Sequence, residues 1–132
     1  FLTAIDVWRD NLFFGSGLKS FRTTCKTKLH LPNRVCEAHP HNYYLELLND
    51  SGLVGLVIFL FGIIFLLFEK SGNPKKIYEN EKTIFLCLVI IIISEFFPFK
   101  SSGSFFTTSN SSFVFFLLGL TNGLKNKFFK FG

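Results

Sequence analysis

Three apolar runs dominate the hydrophobic pattern. Residues 45–68, LELLNDSGLVGLVIFLFGIIFLLF, carry no charge from Gly52 onward. At about 1.5 Å per helical residue the run covers roughly 36 Å, enough to cross a bilayer with some tilt. With its flanks it predicts a transmembrane helix over 43–69. Residues 83–99, TIFLCLVIIIISEFFPF, predict a second span interrupted by Glu95. The third is weaker: from Ser104 the chain is polar first and apolar only through FVFFLLGL, which predicts a short span over 113–124. Upstream, Phe1, Ile5, Trp8 and Leu12 recur at steps of four, three and four, with Asp6 and Asp10 pointing away. That spacing predicts an amphipathic helix lying on a membrane surface or on neighbouring helices. The glycines of GSG at 15–17 are expected to end it.

Charge orients these elements. The loop 70–82 carries Lys70, Lys75, Lys76 and Lys82 around a Gly-Asn-Pro turn, and the tail 125–132 adds Lys125, Lys127 and Lys130. The opposite loop, 100–112, has Lys100 alone. By the positive-inside bias the first loop and the tail face the cytoplasm, and residues 1–42 end a loop outside, periplasmic in a Gram-negative cell. Three Arg and three Lys within that outer segment oppose this orientation without reversing it. The expected fold is an all-α polytopic membrane protein, about three transmembrane helices of a larger helical bundle plus an extracytoplasmic loop segment.

Composition supports membrane residence: 48% of the 132 residues are hydrophobic, 20 are Phe, and mean hydropathy is +0.39. The chain contains no Met and opens on FLTAIDVW, so it reads as a piece of a longer protein without a visible signal peptide. Its net charge of +5 is scattered and makes no basic face, which argues against a nucleic-acid partner. Membrane lipids and the remaining helices of the parent protein are the partners this pattern calls for.

Candidate chemistry gathers near the first span. GSGLKS (Gly15–Ser20) lacks the Lys directly after the last Gly that a phosphate loop needs, and reads as a turn. Cys25 and Cys36, with ten residues between them on the outer side, either close a small disulfide loop or remain free thiols. His30, His39 and His41 lack further ligands at fitting spacing, so no metal site is expected. With a helix beginning near His41 and turning 100° per residue, Gly52, Gly55 and Gly62 fall within roughly 60° of His41 and form a helix-packing seam. Asn42, Glu46 and Asn49 occupy an adjacent polar flank. Exposed N–H groups at such a helix start favour an anionic group, although His41 and Asn42 serve equally well as a plain cap among headgroups. Glu95, near the outer end of the second span, is a further candidate for substrate contact, because acids at that depth usually face a bundle interior or water.

HPHNYYLELLNDSGLVG resembles the signature of the O-antigen ligase and polymerase superfamily, in which His-Asn precedes, after nine residues, a Gly-x-x-Gly pair. His41, Asn42, Gly52 and Gly55 stand in that pattern. FFGSGLKSFR (Phe13–Arg22) is similar to the family's Gly-x-Gly turn, and FFPFKSSGSFF (Phe96–Phe106) to a later loop. The resemblance implies an inner-membrane glycosyltransferase with its active site facing the periplasm, working without a cofactor on a glycan carried by undecaprenyl pyrophosphate. The acceptor it implies is the lipid A core for a ligase, a growing glycan for a polymerase, or protein for related oligosaccharyltransferases. It also puts His41 in the catalytic position, either taking the proton of the attacking hydroxyl or donating to the pyrophosphate. Family arginines facing the diphosphate direct attention to Arg22 and Arg34, on the correct side here, and Asn42 joins them as a substrate-binding candidate. From another class, a lipid-linked sugar transporter would show helices broken near the bilayer midplane. The fragment alone is expected to be inactive, since three spans do not enclose a site for two large substrates.

Overall fold

The computed structural model describes residues 1–68 and 79–128. Within them every regular element is helical and there is no strand: α1 is Leu2–Asp10, α2 Phe21–Thr24, α3 Tyr43–Phe68, α4 Glu79–Glu95 and α5 Thr108–Phe128, with a 3-10 turn over Cys25–Lys28 after α2. Lys70, Lys75, Lys76 and Lys130, on which the expected orientation partly rests, lie outside the described residues.

One helix among the described residues is long and apolar enough to cross a membrane, Tyr43–Leu67, with a hydropathy of 2.4. The expectation of about three spans is not met by the other two, for identifiable reasons. The helix α4 has 17 residues, begins on the polar stretch Glu79-Asn80-Glu81-Lys82 and stops at Glu95, whereas about 20 apolar residues cover the hydrocarbon core. The helix α5 is longer, but opens on Thr-Ser-Asn-Ser-Ser and later carries Thr121, Asn122 and Lys125.

Two clusters hold the chain together. The larger joins α3, α4 and α5 through Tyr43, Ile92, Phe105, Val114, Leu117 and Leu118, with Phe59 and Phe96 packed against them. Its centre is aromatic: Phe105 meets Tyr43 edge-on at 5.3 Å and Phe59 at 5.1 Å between ring centroids, an arrangement worth about 0.5–1.5 kcal/mol per pair beyond burial. At the far end of the bundle, buried Lys125 donates to the Leu66 carbonyl at 2.5 Å, using a cation to satisfy a terminal carbonyl of α3. The smaller cluster, Ala4, Val7, Phe21 and Cys25, docks α1 on α2 and on Leu45 of α3.

The packing of α1 departs from the expected stripe. It buries Thr3, Ala4 and Val7, while Phe1 is 60% and Leu12 43% exposed. Small residues let α1 lie close on α2, and the bulkier apolar ones are left outward. Nor do the glycines of GSG end it. The helix stops at Asp10, with the Asn11 amide donating to Trp8, and the glycines serve elsewhere.

They serve at a break in α3. Gly52 sits at φ 67°, ψ −167°, so α3 is two helical pieces meeting at a kink. The loop after α1 enters this gap. The amides of Leu53 and Val54, which open the second piece, donate to the carbonyls of Leu12 and Phe13 at 2.9 and 3.1 Å; the carbonyls of Asn49 and Asp50, which close the first, accept from Ser16 and Gly17 at 2.7 and 3.0 Å. Four backbone groups that a helix break exposes are thereby paired, as buried backbone groups generally are. The approach requires glycine on both sides. A Cβ on Gly52 would stand 2.3 Å from the Phe13 carbonyl, and one on Gly15, itself at φ 69°, would stand 2.6 Å from the Asp50 carbonyl carbon.

The expected glycine seam presumed one continuous helix through position 52, and the break resets that register. Gly52 receives a loop rather than a helix. Gly55 lies over the Ser51 side chain of its own helix, and nothing stands within 4 Å of a Cβ built on Gly62.

Candidate functional site

The polar start of α3 is where the outer segments are tied. Asn42 receives the Leu45 amide on its side-chain oxygen at 3.1 Å, the bond of an N-terminal cap. Its amide donates to the carbonyls of Pro98 at 2.7 Å and Lys100 at 3.3 Å. One turn on, the Glu46 carboxylate accepts from the Ser104 hydroxyl and from the Phe105 amide, the latter at 2.5 Å. Asn49, fully buried, donates to the Ala4 carbonyl of α1 at 3.1 Å and to Leu45 at 2.6 Å. The flank Asn42–Glu46–Asn49 therefore clamps the 98–105 loop and α1 onto α3. Most of its polar atoms are committed to these ties, which accounts for polar residues at the start of an apolar helix.

Directly before this clamp, His41 is exposed and left-handed at φ 58°, and its carbonyl accepts from the Ser102 amide at 2.9 Å. Its ring lies 4.2 Å from that of His39, tilted by 50°. His41, His39 and Phe1 share the wall of an open cleft of about 330 Å3. His39 and Pro40 also border a second cleft, of about 200 Å3, whose other walls include Lys19, Arg22, Glu46, Asp50 and Ser104. A histidine pair thus divides two clefts on the outer face of the molecule.

Of the anticipated arginines, the two have different fates. Arg22 lines the second cleft and is exposed. Arg34 is occupied: its Nε donates to Asp6 at 2.5 Å and an outer nitrogen donates to Pro32. The same hydrogen bond, reinforced by the positive field of Arg34, Arg9 and Lys28, holds the Asp6 carboxyl below the usual carboxylate range. Arg34 is therefore a fastener of α1 and not a free ligand for phosphate.

Glu95 is likewise engaged, accepting from the Tyr43 hydroxyl at 2.8 Å and paired with the Lys100 ammonium. It joins the end of α4 to the start of α3 and borders neither cleft. Cys25 and Cys36 form a disulfide with Cα atoms 5.2 Å apart. It secures the stretch of chain leading to His39 against the α2 end of the second cleft. No group of His, Cys, Asp and Glu suited to a metal ion occurs among the described residues.

The structure adds residues that the sequence did not single out. Asp50 is 3% exposed and takes the Lys19 amide on Oδ2 at 2.8 Å. Its Oδ1, the Nε2 of His39 and the hydroxyl of Ser20 are buried without a hydrogen-bond partner in the protein. The neighbourhood of Gly52 was the one available signal: an acid two residues before a helix break faces whatever fills the break.

Residues 2–60 match the family model described as O-antigen ligase. That segment holds α1, both cysteines, the histidine pair and the break in α3. No curated protein and no solved structure matches the chain.

Proposed function

From the O-antigen ligase family match of residues 2–60 we propose that this chain is a catalytic part of a bacterial membrane glycosyltransferase, moving a glycan from undecaprenyl pyrophosphate to an acceptor hydroxyl. The lipid A core is the acceptor in the reading we favour, and His41 is the catalytic base. The observation that carries this reading is the exposed imidazole of His41 at the edge of a cleft, directly before the span, inside the matched segment.

In this mechanism the acceptor oxygen attacks the anomeric carbon while the bond from that carbon to the pyrophosphate oxygen breaks. His41 takes the hydroxyl proton, and the pyrophosphate leaves on its lipid carrier. General-base assistance of this kind contributes roughly 10²–10⁴-fold. Arg22, free and cationic at the neighbouring cleft, is placed to attend the departing charge. Asn42 acts indirectly, fixing the residue before it by capping α3.

The multi-pass reading rests on the outward faces of the helices. Val57, Ile58, Phe61, Ile64 and Phe65 on α3 are exposed, as are Ile84, Leu86, Ile90 and Ile93 on α4 and Phe113, Phe115 and Phe116 on α5. Apolar surface on that scale needs lipid or further helices of the parent protein, so α4 and α5 lie in the membrane beside α3. A transporter reading is disfavoured by the break in α3. Its backbone groups are filled by residues 12–17 and line no ion path, and it lies toward the outer end of the helix.

The test is His41→Ala in the full-length protein. Expected are unchanged membrane insertion and at least a hundredfold loss of glycan transfer, with carrier-linked polymer accumulating and lipopolysaccharide losing its long chains. Normal surface polysaccharide in that variant defeats the proposal. Chains of a single repeat unit, in place of none, redirect it to a polymerase.

A further inference from the structure

Apart from Arg22, the second cleft is lined by groups that the mechanism above leaves unused. Two of its wall residues, Asp50 and His39, approach from different segments, one from α3 and one from the disulfide-held loop. Glu46 in the same cleft has both carboxylate oxygens taken by Ser104 and Phe105. Asp50 does not. Oδ2 holds the Lys19 amide, and Oδ1 is buried and unpartnered, as is His39 Nε2. Buried polar atoms are paired in the great majority of cases, because an unmade hydrogen bond forfeits the whole cost of desolvation. Two such atoms on residues of one cleft wall point to a ligand that arrives with its own donors and acceptors.

The chemistry of the wall narrows that ligand. A carboxylate oxygen accepts only, and an imidazole nitrogen either accepts or donates. Neighbouring ring hydroxyls of a sugar satisfy both at once. The cleft, at about 200 Å3, lies below the roughly 300–1,000 Å3 of sites for drug-sized molecules, so it admits one ring and not an oligosaccharide. At its rim Lys19 and Arg22 are exposed cations, suited to an anionic substituent on that ring.

We propose that this cleft seats a single phosphate-bearing sugar ring, with Asp50 Oδ1 accepting one ring hydroxyl and His39 Nε2 paired with another. The inference rests on the glycan-transfer reading and deepens it. Asp50 and His39 are binding residues, and Lys19 and Arg22 attend the phosphate. Two sources supply this chemistry: the first sugar of the donor, attached to its pyrophosphate, and a phosphorylated sugar of the acceptor core.

The test is equilibrium binding by the full-length protein in lipid nanodiscs. Three probes are used: undecaprenyl pyrophosphate without sugar, the same carrier bearing its glycan, and a phosphorylated core oligosaccharide. Asp50→Asn and His39→Ala are each expected to weaken one of the two sugar-bearing probes by about tenfold, the value of a hydrogen bond to a charged group. Affinity for the bare carrier is expected to stay unchanged. The probe that weakens names the source. Asp50 also holds the Lys19 amide, so Asp50→Asn can fail to fold; His39→Ala, on a loop, then decides the matter alone. Wild-type affinity for all three probes overturns the proposal. An equal loss on the bare carrier also overturns it, by assigning the cleft to pyrophosphate alone. A wild-type protein that binds the sugar-bearing probes through these residues yet transfers nothing defeats the transfer reading and leaves the cleft standing.

Discussion

Single residues in this chain act mainly by choosing which segment to hold. Asp6 shows it most cleanly: its carboxylate binds Arg34 across 28 positions and so fastens α1 to the loop before the histidines. Its folded-state pKa is depressed, first by that hydrogen bond and then by the surrounding cations. The sign follows from linkage. A carboxylate with a lowered pKa contributes stability above its ordinary value of 3.8, and the contribution disappears as pH falls through the lower folded value. Amide exchange in α1 is therefore expected to accelerate as pH drops below about 4. In Asp6→Asn that step should be missing, with α1 exchanging faster already at neutral pH; an identical pH profile in both proteins means that Asp6 tethers nothing. His41 was legible because HPHN precedes an apolar run. The partners of its neighbours were not, since Asn42 reaches Pro98 and Glu46 reaches Phe105, contacts set by the return of the chain more than 50 positions later. Asp50 escaped notice because its partner, the Lys19 amide, lies 31 positions earlier.

At the scale of elements, the broken helix is the feature on which the site depends. Hydropathy along 45–68 runs without interruption through Gly52, because hydrophobic pattern records what a residue buries and not its φ. The existence of α3 was therefore plain and its kink was hidden. Once broken, α3 offers two half-turns of open backbone, and the GSG loop closes both while carrying Lys19 to Asp50. Position 52 tolerates no side chain: alanine there combines left-handed strain with a contact of 2.3 Å against backbone. Gly52→Ala is expected to cost about 3 kcal/mol or more and to expel the 12–17 loop, lowering the melting temperature of the detergent-solubilised protein. Gly62→Ala, facing open space within α3, should shift stability by under about 0.5 kcal/mol. Equal melting temperatures for the two variants mean that the loop does not occupy the break. The α1 helix follows the same logic. Its apolar stripe points to a helix lying on a membrane surface or on neighbouring helices, and the close contact within the protein is made by Thr3, Ala4 and Val7, whose small size is what permits it.

For the whole molecule, the balance of polar ties and open apolar surface assigns a side to each end. The polar clamps from Asn42 to Asn49 lie at the start of α3 beside the disulfide, while the lengths of α3 and α4 beyond them present aliphatic side chains outward. A protein arranged this way has a wet, cross-linked head and an oily body. An oxidised cysteine pair in the head fits an oxidising compartment, the side on which the proposed mechanism needs residues 1–42 to lie. Composition made the oily body legible at once. Among the described residues α3 alone is long and apolar enough to cross a membrane by itself, because the apolar runs in α4 and α5 are shorter than the segments containing them. Topology can be tested with a membrane-impermeant maleimide on intact cells, in a Cys87→Ser background because Cys87 is exposed. His30→Cys and Ser101→Cys, both at exposed positions on the head, should label from outside. Asn80→Cys, exposed in the first turn of α4, should label only after the inner membrane is opened. Labelling of Asn80→Cys in intact cells, or protection of His30→Cys, would turn the molecule over. His41 would then face a compartment in which lipid-linked glycans are assembled and not transferred, and the glycosyltransferase mechanism would have no substrate on its side.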